Sequence, residues 1–178
     1  KAALAAFTPD GKKAFISNIE DGTCTVVDTA TLKPIKTIST GKGAMGIEVS
    51  SDGKRVYETD GNENMTSVID AESLEVIHTF KFGHKDPHGL VLIPGQNRAL
   101  VSNRGSANIS LIDLNTNEEL TTISVSPRPD IMAIRPDGKE AYVTSREGKS
   151  LQIIDIPSRK VAASIKLGGD PHGVAYRP

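Results

Sequence analysis

The sequence predicts an all-β protein built from a repeated four-stranded antiparallel unit. A turn motif recurs at intervals of 42, 43 and 42 residues: Pro9-Asp10-Gly11-Lys12, Ser51-Asp52-Gly53-Lys54, Pro94-Gly95-Gln96-Asn97 and Pro136-Asp137-Gly138-Lys139. A hydrophobic residue followed by Asp recurs with the same spacing: Val27-Asp28, Ile69-Asp70, Ile112-Asp113 and Ile154-Asp155. No window of about 11 residues shows the 3.6-residue apolar period of a helix. Such self-similarity predicts one structural unit per repeat.

The elements of the first unit follow from its local residues. Residues 2–8 are small and suit a crowded strand A, and residues 9–11 form a turn because Pro fixes φ and Gly accepts positive φ. Residues 13–17 form strand B, and residues 23–27 form strand C, which is rich in β-branched side chains. Residues 35–38 alternate as a half-exposed strand D. Four antiparallel strands in about 42 residues are typical of a β-propeller blade.

The Asp that ends each strand C has a structural interpretation. Each is followed three residues later by a hydroxyl residue: Thr31, Ser73, Thr116 and Ser158. A carboxylate at this position can accept backbone N–H bonds in the turn that leads to strand D. Catalytic carboxylates do not need to recur in every blade, so we predict that these Asp residues stabilise turns.

The repeat divides the chain into blades. We predict one propeller segment over residues 1–178, with blades at about 1–41, 42–83, 84–126 and 127–168, and with 169–178 as the inner strand of a next blade. Seven blades need about 300 residues. We therefore expect an arc of a seven- or eight-bladed propeller. Closure of four blades into a small propeller, or pairing of two chains into eight blades, are the alternatives.

The strand B sequences resemble a known family. Tyr142-Val143-Thr144-Ser145, with its variants Val101-Ser102-Asn103 and Phe15-Ile16-Ser17-Asn18, is similar to the naming motif of YVTN-type β-propeller repeats. This group resembles the cytochrome d1-like and lactonase-like propellers. The resemblance implies seven or eight blades and export to the periplasm or cell surface. It specifies fold more than function, because these propellers act as enzymes, cofactor carriers, surface proteins and binding platforms.

Composition excludes several functional classes. Lys and Arg number 21 against 22 Asp and Glu, so no basic field exists to drive nucleic-acid binding. No apolar run approaches the roughly 20 residues that span a bilayer, so we predict no membrane insertion. The lone Cys24 excludes an intrachain disulfide and a cysteine-only zinc site, and its place in strand C predicts a buried small hydrophobe.

The loops that join strand D to the next strand A carry the candidate chemistry. Aligned by the repeat period, they place four residues in one column: Met45, His88, Asp130 and His172. In a propeller these loops surround one mouth of the central channel. His and Asp are metal ligands, and Met binds soft metals or haem iron. The column predicts a site for a metal ion, a haem-type tetrapyrrole or a small anion.

Three further residues extend this candidate site. Lys85 and Arg128 offer positive charge for an anion or a propionate, and His84 offers a second imidazole beside Lys85. His88 and His172 lie two blades apart, so we expect them to face each other only partly. This favours a large cofactor or separate contacts over one shared ion. The alternative is structural: the Asp-Pro-His-Gly loops persist because Pro fixes the loop, Gly tolerates its end and His bonds a neighbouring carbonyl.

Three functions remain open. The first is a non-enzymatic, extracytoplasmic scaffold that has no cofactor and contacts a protein partner or small ligand through the D-to-A loops, with further blades or a second copy beside it. The second is a propeller of the cytochrome d1 type, related to oxidoreductases, whose cofactor contacts His88 or His172. The third is a lactonase-like, metal-dependent hydrolase that uses Asp86, Asp130 and Asp170.

Overall fold

The computed structural model describes residues 1–177, which are almost entirely β-structure. Its sixteen strands form four sheets, and two one-turn 3-10 helices lie at Gly61–Glu63 and Arg104–Ser106. The first sheet contains β1 Ala2–Phe7, β2 Lys13–Asn18, β3 Thr23–Asp28 and β4 Lys33–Ser39. The second contains β5 Ala44–Val49, β6 Arg55–Asp60, β7 Met65–Asp70 and β8 Glu75–Phe80. The third contains β9 Pro87–Leu92, β10 Arg98–Asn103, β11 Asn108–Asp113 and β12 Glu118–Ser124. The fourth contains β13 Pro129–Ile134, β14 Glu140–Ser145, β15 Ser150–Asp155 and β16 Lys160–Lys166.

Each sheet is a four-stranded antiparallel meander in chain order, which is the topology of a propeller blade. The predicted fold class is therefore confirmed. The chain divides into two compact units, one over Lys1–Pro87 with the first two blades and one from His88 onward with the last two. Each unit has its own apolar core between its two blades, centred on Phe15, Val26 and Val56 in the first and on Leu100, Ile109 and Ile154 in the second. Cys24 is fully buried in the first core, as predicted.

The repeated Asp residues stabilise the C-to-D turns as predicted. The Oδ1 atoms of Asp28 and Asp70 accept backbone N–H bonds at 2.7 Å from the hydroxyl residue three positions later. The same bond measures 3.3 Å at Asp113 and 2.8 Å at Asp155. Hydrogen bonds to the charged form lower the pKa of a carboxyl, and the pKa of Asp28 is lowered by its bonds from Thr31.

A bulge at the start of strand A sets the position of the loop column. The pairing of strand A with strand B shifts register between Ala44 and Ile47 and between Pro129 and Met132. A hydroxyl on strand B then bonds the carbonyl of the column residue in the following blade. This bond runs from Ser17 to Met45 O at 2.9 Å, from Ser102 to Asp130 O at 2.6 Å and from Thr144 to His172 O at 2.7 Å. The structure thus gives these column residues equivalent backbone positions.

The segment after β16 has no strand partner among the described residues. It contacts the fourth blade through the Thr144 hydroxyl bond to His172 and through the stacked rings of Tyr142 and Tyr176, whose centroids are 5.6 Å apart. A strand is defined by a ladder with a neighbour, and residues 167–177 have none. The inner strand of a next blade at 169–178 stays a prediction, and its last residue lies outside the described chain.

The structure also locates the extra residue in the repeat. The loop before β9 spans residues 81–86, whereas the loops before β5 and β13 span 40–43 and 125–128. None of the helices in the described chain has the length and apolarity to cross a membrane.

Candidate functional site

Three residues of the column come together in the second unit. His88 lies on β9 and Asp130 on β13, while His172 lies in the segment after β16. Each offers one ligand atom, and these atoms all lie within 4.8 Å of one another. We name the three residues the His–Asp–His cluster. Met45 lies on β5 in the first unit and is half-buried.

The carboxylate of Asp130 is the centre of the cluster. Asp130 is fully buried, and His88 is 4% exposed. The Nε2 atom of His88 lies 3.0 Å from Asp130 Oδ1. The Arg104 guanidinium, from the loop between β10 and β11, donates a hydrogen bond to the same oxygen at 2.6 Å. One carboxylate oxygen thus contacts both an imidazole and a guanidinium.

The second oxygen of Asp130, Oδ2, differs from Oδ1 in its contacts. Oδ2 is buried and has no hydrogen-bond partner among the described residues. The Nε atom of Arg146 lies 3.7 Å from Oδ2, beyond hydrogen-bond distance. Arg146 instead donates to Asp170, with Nε 2.8 Å from Oδ1 and a second contact from NH2 to Oδ2. A buried carboxylate oxygen without a partner loses the hydrogen bonds that water gave it in the unfolded chain.

The surroundings keep Asp130 ionised. Burial raises the pKa of a carboxyl because it disfavours the charged form. The hydrogen bond with His88 and the positive charge of Arg104 outweigh this effect, so the pKa of Asp130 lies below its ordinary value. The cluster therefore contains a charged oxygen at neutral pH.

His172 is the exposed member of the cluster, since its side chain faces solvent while His88 and Asp130 are buried. The sequence favoured a large cofactor or separate contacts over one shared ion, whereas the distances in the structure are compatible with a shared ion. The repeat places the two histidines two blades apart, but Asp130, on the intervening strand β13, has a ligand atom within 4.8 Å of both imidazoles.

The other predicted site residues lie elsewhere. Arg128 is exposed, has a positive φ of 57° and lies 3.4 Å from Glu147. His84 is half-buried and Lys85 is exposed in the loop before β9, in the first unit. Of the three carboxylates considered for a hydrolase, Asp130 is buried, Asp170 is exposed and paired with Arg146, and Asp86 belongs to the first unit.

The Gly of the Asp-Pro-His-Gly loop has a structural role at one of its two occurrences. A Cβ added at Gly89 would lie 2.4 Å from the carbonyl oxygen of Asp130, because the third and fourth blades approach closely there. A Cβ added at Gly173 would meet nothing within 4 Å. The structural interpretation therefore holds for Gly89. At His88, the printed contact joins Nε2 to the Asp130 carboxylate, and the predicted bond to a neighbouring carbonyl stays a prediction.

Comparisons with known proteins agree with this fold. The family described as YNCE-like β-propeller matches residues 92–177. The uncharacterized protein YncE of Salmonella typhimurium is 27% identical over 132 residues, which cover 71% of this chain and 37% of that protein. The dihydro-heme d1 dehydrogenase of Pseudomonas aeruginosa is 23% identical over 93% of this chain and 35% of its own length.

This chain therefore resembles YVTN-type β-propeller repeats, as predicted, in the YNCE-like family match and in both curated relatives. It spans just over a third of the length of these curated relatives. Among solved structures, hydrazine synthase of Kuenenia stuttgartiensis superposes with a TM-score of 0.85 at 28% identity, over 90% of this chain and 47% of that chain. U3-55K superposes with a TM-score of 0.85 at 13% identity, over 96% of this chain and 54% of its own, and shows the fold alone.

Sequence reasoning missed the two arginines that flank the His–Asp–His cluster. Arg104 and Arg146 each follow the residue that ends strand B, and they are 42 residues apart. The first two blades have Ile19 and Gly61 at this position. Both arginines stand out when the repeats are aligned and the positions with charged residues are compared, in addition to the positions with metal ligands.

A pair of buried acids in the first unit was also missed. Glu58 and Asp60 are fully buried on β6, where the other blades have Ile16, Val101 or Val143 at the Glu58 position. Burial raises the pKa of Glu58 to about 8, since the Thr40 hydroxyl offsets only part of the desolvation. Burial likewise raises the pKa of Asp60 to about 7. The sequence signal was an acid at a position that is otherwise apolar in every repeat.

Proposed function

We propose that this chain belongs to an extracytoplasmic propeller that acts as a binding scaffold and holds a ligand at its D-to-A loops through the His–Asp–His cluster. The observation that carries the proposal is the buried Oδ2 atom of Asp130, which has no hydrogen-bond partner in the described chain and belongs to a carboxylate within 4.8 Å of the exposed imidazole of His172. A bound ligand would supply the missing partner. The extracytoplasmic location follows from the family resemblance.

The chemistry of the cluster supports binding more than catalysis. Asp130 is fixed by Arg104 and His88, and Arg146 is fixed by Asp170. Pre-organised polar groups of this kind lower the cost of binding because little side-chain freedom is lost. None of the described contacts gives an activated nucleophile, and the fully buried Cys24 has a pKa raised chiefly by desolvation, which disfavours the reactive thiolate.

A ligand panel tests the proposal. The purified protein is titrated with zinc chloride, haemin, inorganic phosphate and citrate, and binding is followed by calorimetry and by the imidazole signals in NMR spectra. We expect saturable binding of at least one probe, with loss in His172→Ala. The His78→Ala variant is the matched control, because His78 is an exposed histidine on β8. Failure of every probe to perturb the signals of His88 and His172 contradicts the proposal.

A second candidate is a cofactor-handling propeller of the cytochrome d1 type. The observation in its favour is the similarity to a dihydro-heme d1 dehydrogenase along 93% of this chain. Here His172, which is exposed, would contact a tetrapyrrole. A Soret band in the purified protein, or a haemin-induced band that His172→Ala removes, supports this function. A colourless protein that haemin leaves unchanged contradicts it.

Cell location has a separate test. Fractionation of the native host, with antibody detection of the protein, should place it in the periplasm or at the cell surface. Recovery with cytoplasmic markers contradicts the location and leaves the ligand proposal standing.

A further inference from the structure

We infer that the His–Asp–His cluster binds one divalent transition-metal ion of the kind that prefers imidazole, with Zn²⁺ as the representative. The inference rests on the proposed binding function and names its ligand class. His172 supplies the exposed imidazole, Asp130 supplies Oδ2, and His88 supplies the buried imidazole. Two imidazoles and one carboxylate form a ligand set used by Zn²⁺ and by other first-row metals.

The spacing of the three groups fits one ion. Bonds of about 2.0–2.1 Å to nitrogen and oxygen in a tetrahedral site place two ligand atoms about 3.3 Å apart. His88 Nε2 lies 3.0 Å from Asp130 Oδ1, so the buried imidazole is already next to the carboxylate whose other oxygen, Oδ2, is the proposed ligand. The largest separation in the cluster is within 4.8 Å. A rearrangement of at most about 1.5 Å therefore brings the ligand atoms to metal-binding spacing, and His172 lies outside the strands.

The two oxygens of Asp130 have different roles in the proposed site. Oδ1 is held by Arg104 at 2.6 Å, an arrangement that orients the carboxylate. Oδ2 is the buried oxygen that lacks a hydrogen-bond partner. Metal-bound carboxylates are commonly oriented by hydrogen bonds to one oxygen while the other binds the ion. In this cluster Arg104 is therefore a positioning residue.

The neighbouring charges set the strength of the site. Arg104 and Arg146 are cations near the carboxylate, and they oppose a second positive charge. Arg146 is largely neutralised by Asp170, and its Nε atom is 3.7 Å from Oδ2. We therefore expect an open, exchangeable site with a water molecule in the fourth position, in contrast to a closed structural site with four protein ligands.

Metal binding has a structural consequence. His88 belongs to the third blade, Asp130 to the fourth, and His172 to the segment that follows the last described strand. One ion would join all three. Other contacts also hold the segment after β16 to the fourth blade: the Thr144 bond to His172, the Arg146 pair with Asp170 and the Tyr142–Tyr176 stack.

Titration of the intact protein with zinc chloride tests the inference. Calorimetry should show one ion per chain, and Co²⁺ in place of Zn²⁺ should give the visible absorption bands of a tetrahedral site. His172→Ala should weaken Zn²⁺ binding at least tenfold, a loss typical of a removed ligand or a removed supporting contact. Because His172 is exposed and lies outside the strands, this variant should keep the wild-type circular dichroism spectrum.

Two further variants complete the test. Asp130→Asn keeps the shape of the side chain and should also lose Zn²⁺ binding, with a folded spectrum as its check. His78→Ala should bind Zn²⁺ like the wild type. Equal Zn²⁺ affinity in the wild type and in His172→Ala overturns the metal assignment. If Zn²⁺ does not bind but haemin, phosphate or citrate binds in a His172-dependent manner, the metal inference is wrong and the proposed binding function stands. If none of the probes binds, both the metal inference and the proposed function are wrong.

Discussion

Replacing Glu58 by Val should stabilise the protein at neutral and alkaline pH. Glu58 is fully buried, and neither of its carboxylate oxygens has a hydrogen-bond partner of normal geometry. The equivalent residues in the other blades are Ile16, Val101 and Val143, so the position accepts an apolar side chain in the same fold. The groups that face Glu58 are Asp60, Thr40 and Cys24, and the Asp60 charge adds to the burial effect.

The size of the pH-dependent loss of stability follows from the pKa of Glu58 in the unfolded and in the folded chain. The pKa of Glu58 rises from 4.5 to about 8 on folding. A folded-state pKa above the unfolded one gives stability that is fully present below pH 4.5 and is lost as pH rises to about 8. At 1.36 kcal/mol per pKa unit, roughly 3.5 units correspond to a loss of about 5 kcal/mol at alkaline pH, of which about 3 kcal/mol is lost by pH 7. Val removes this loss, because it does not ionise.

The assay is urea unfolding at pH 5 and pH 8, followed by circular dichroism. The wild type should be several kcal/mol less stable at pH 8 than at pH 5, and Glu58→Val should reduce this difference. Glu75→Gln is the matched control, because Glu75 is exposed on β8 in the same blade and should leave the difference unchanged. The reasoning is refuted if Glu58→Val keeps the full pH dependence of the wild type, or if it is less stable than the wild type at pH 8.

Two other predictions concern the second unit. Gly89→Ala should lower the free energy of unfolding by roughly 1–3 kcal/mol, because its Cβ would lie 2.4 Å from Asp130 O. Gly173→Ala is the control and should leave the stability unchanged, since its Cβ would meet nothing within 4 Å. Similar urea midpoints for the two variants contradict this prediction. Arg146→Gln removes a cation 3.7 Å from Asp130 Oδ2 and should raise Zn²⁺ affinity by up to about fivefold in calorimetry; a lower affinity contradicts the charge argument.

The fold could be predicted from the sequence because its signals are local and repeated. The turn at Pro9-Asp10-Gly11 depends on residues next to one another in the chain, as does the Asp28 bond to Thr31. Each of these signals occurs in every blade or in most of them. The period also aligned Met45, Asp130 and His172 correctly, as their shared bond to a strand B hydroxyl shows.

The geometry of the site could not be predicted in the same way. The repeat gives the column but no distance across it, and blade counting favoured a large cofactor or separate contacts over one ion shared by His88 and His172. The approach of the two residues depends on the close packing at Gly89 and on the bulge in β13, which are tertiary features. Arg104 was missed because its partner, Asp130, lies 26 residues away on another blade.

The central claim is that the His–Asp–His cluster binds one divalent metal ion through Asp130 and His172. X-ray diffraction data from a zinc-soaked crystal, collected on both sides of the zinc absorption edge, test it most directly. We predict one anomalous peak about 2.0–2.2 Å from Asp130 Oδ2 and from an imidazole nitrogen of His172. Absence of a peak at the cluster at saturating zinc, or a peak confined to His78 or His84, contradicts the claim.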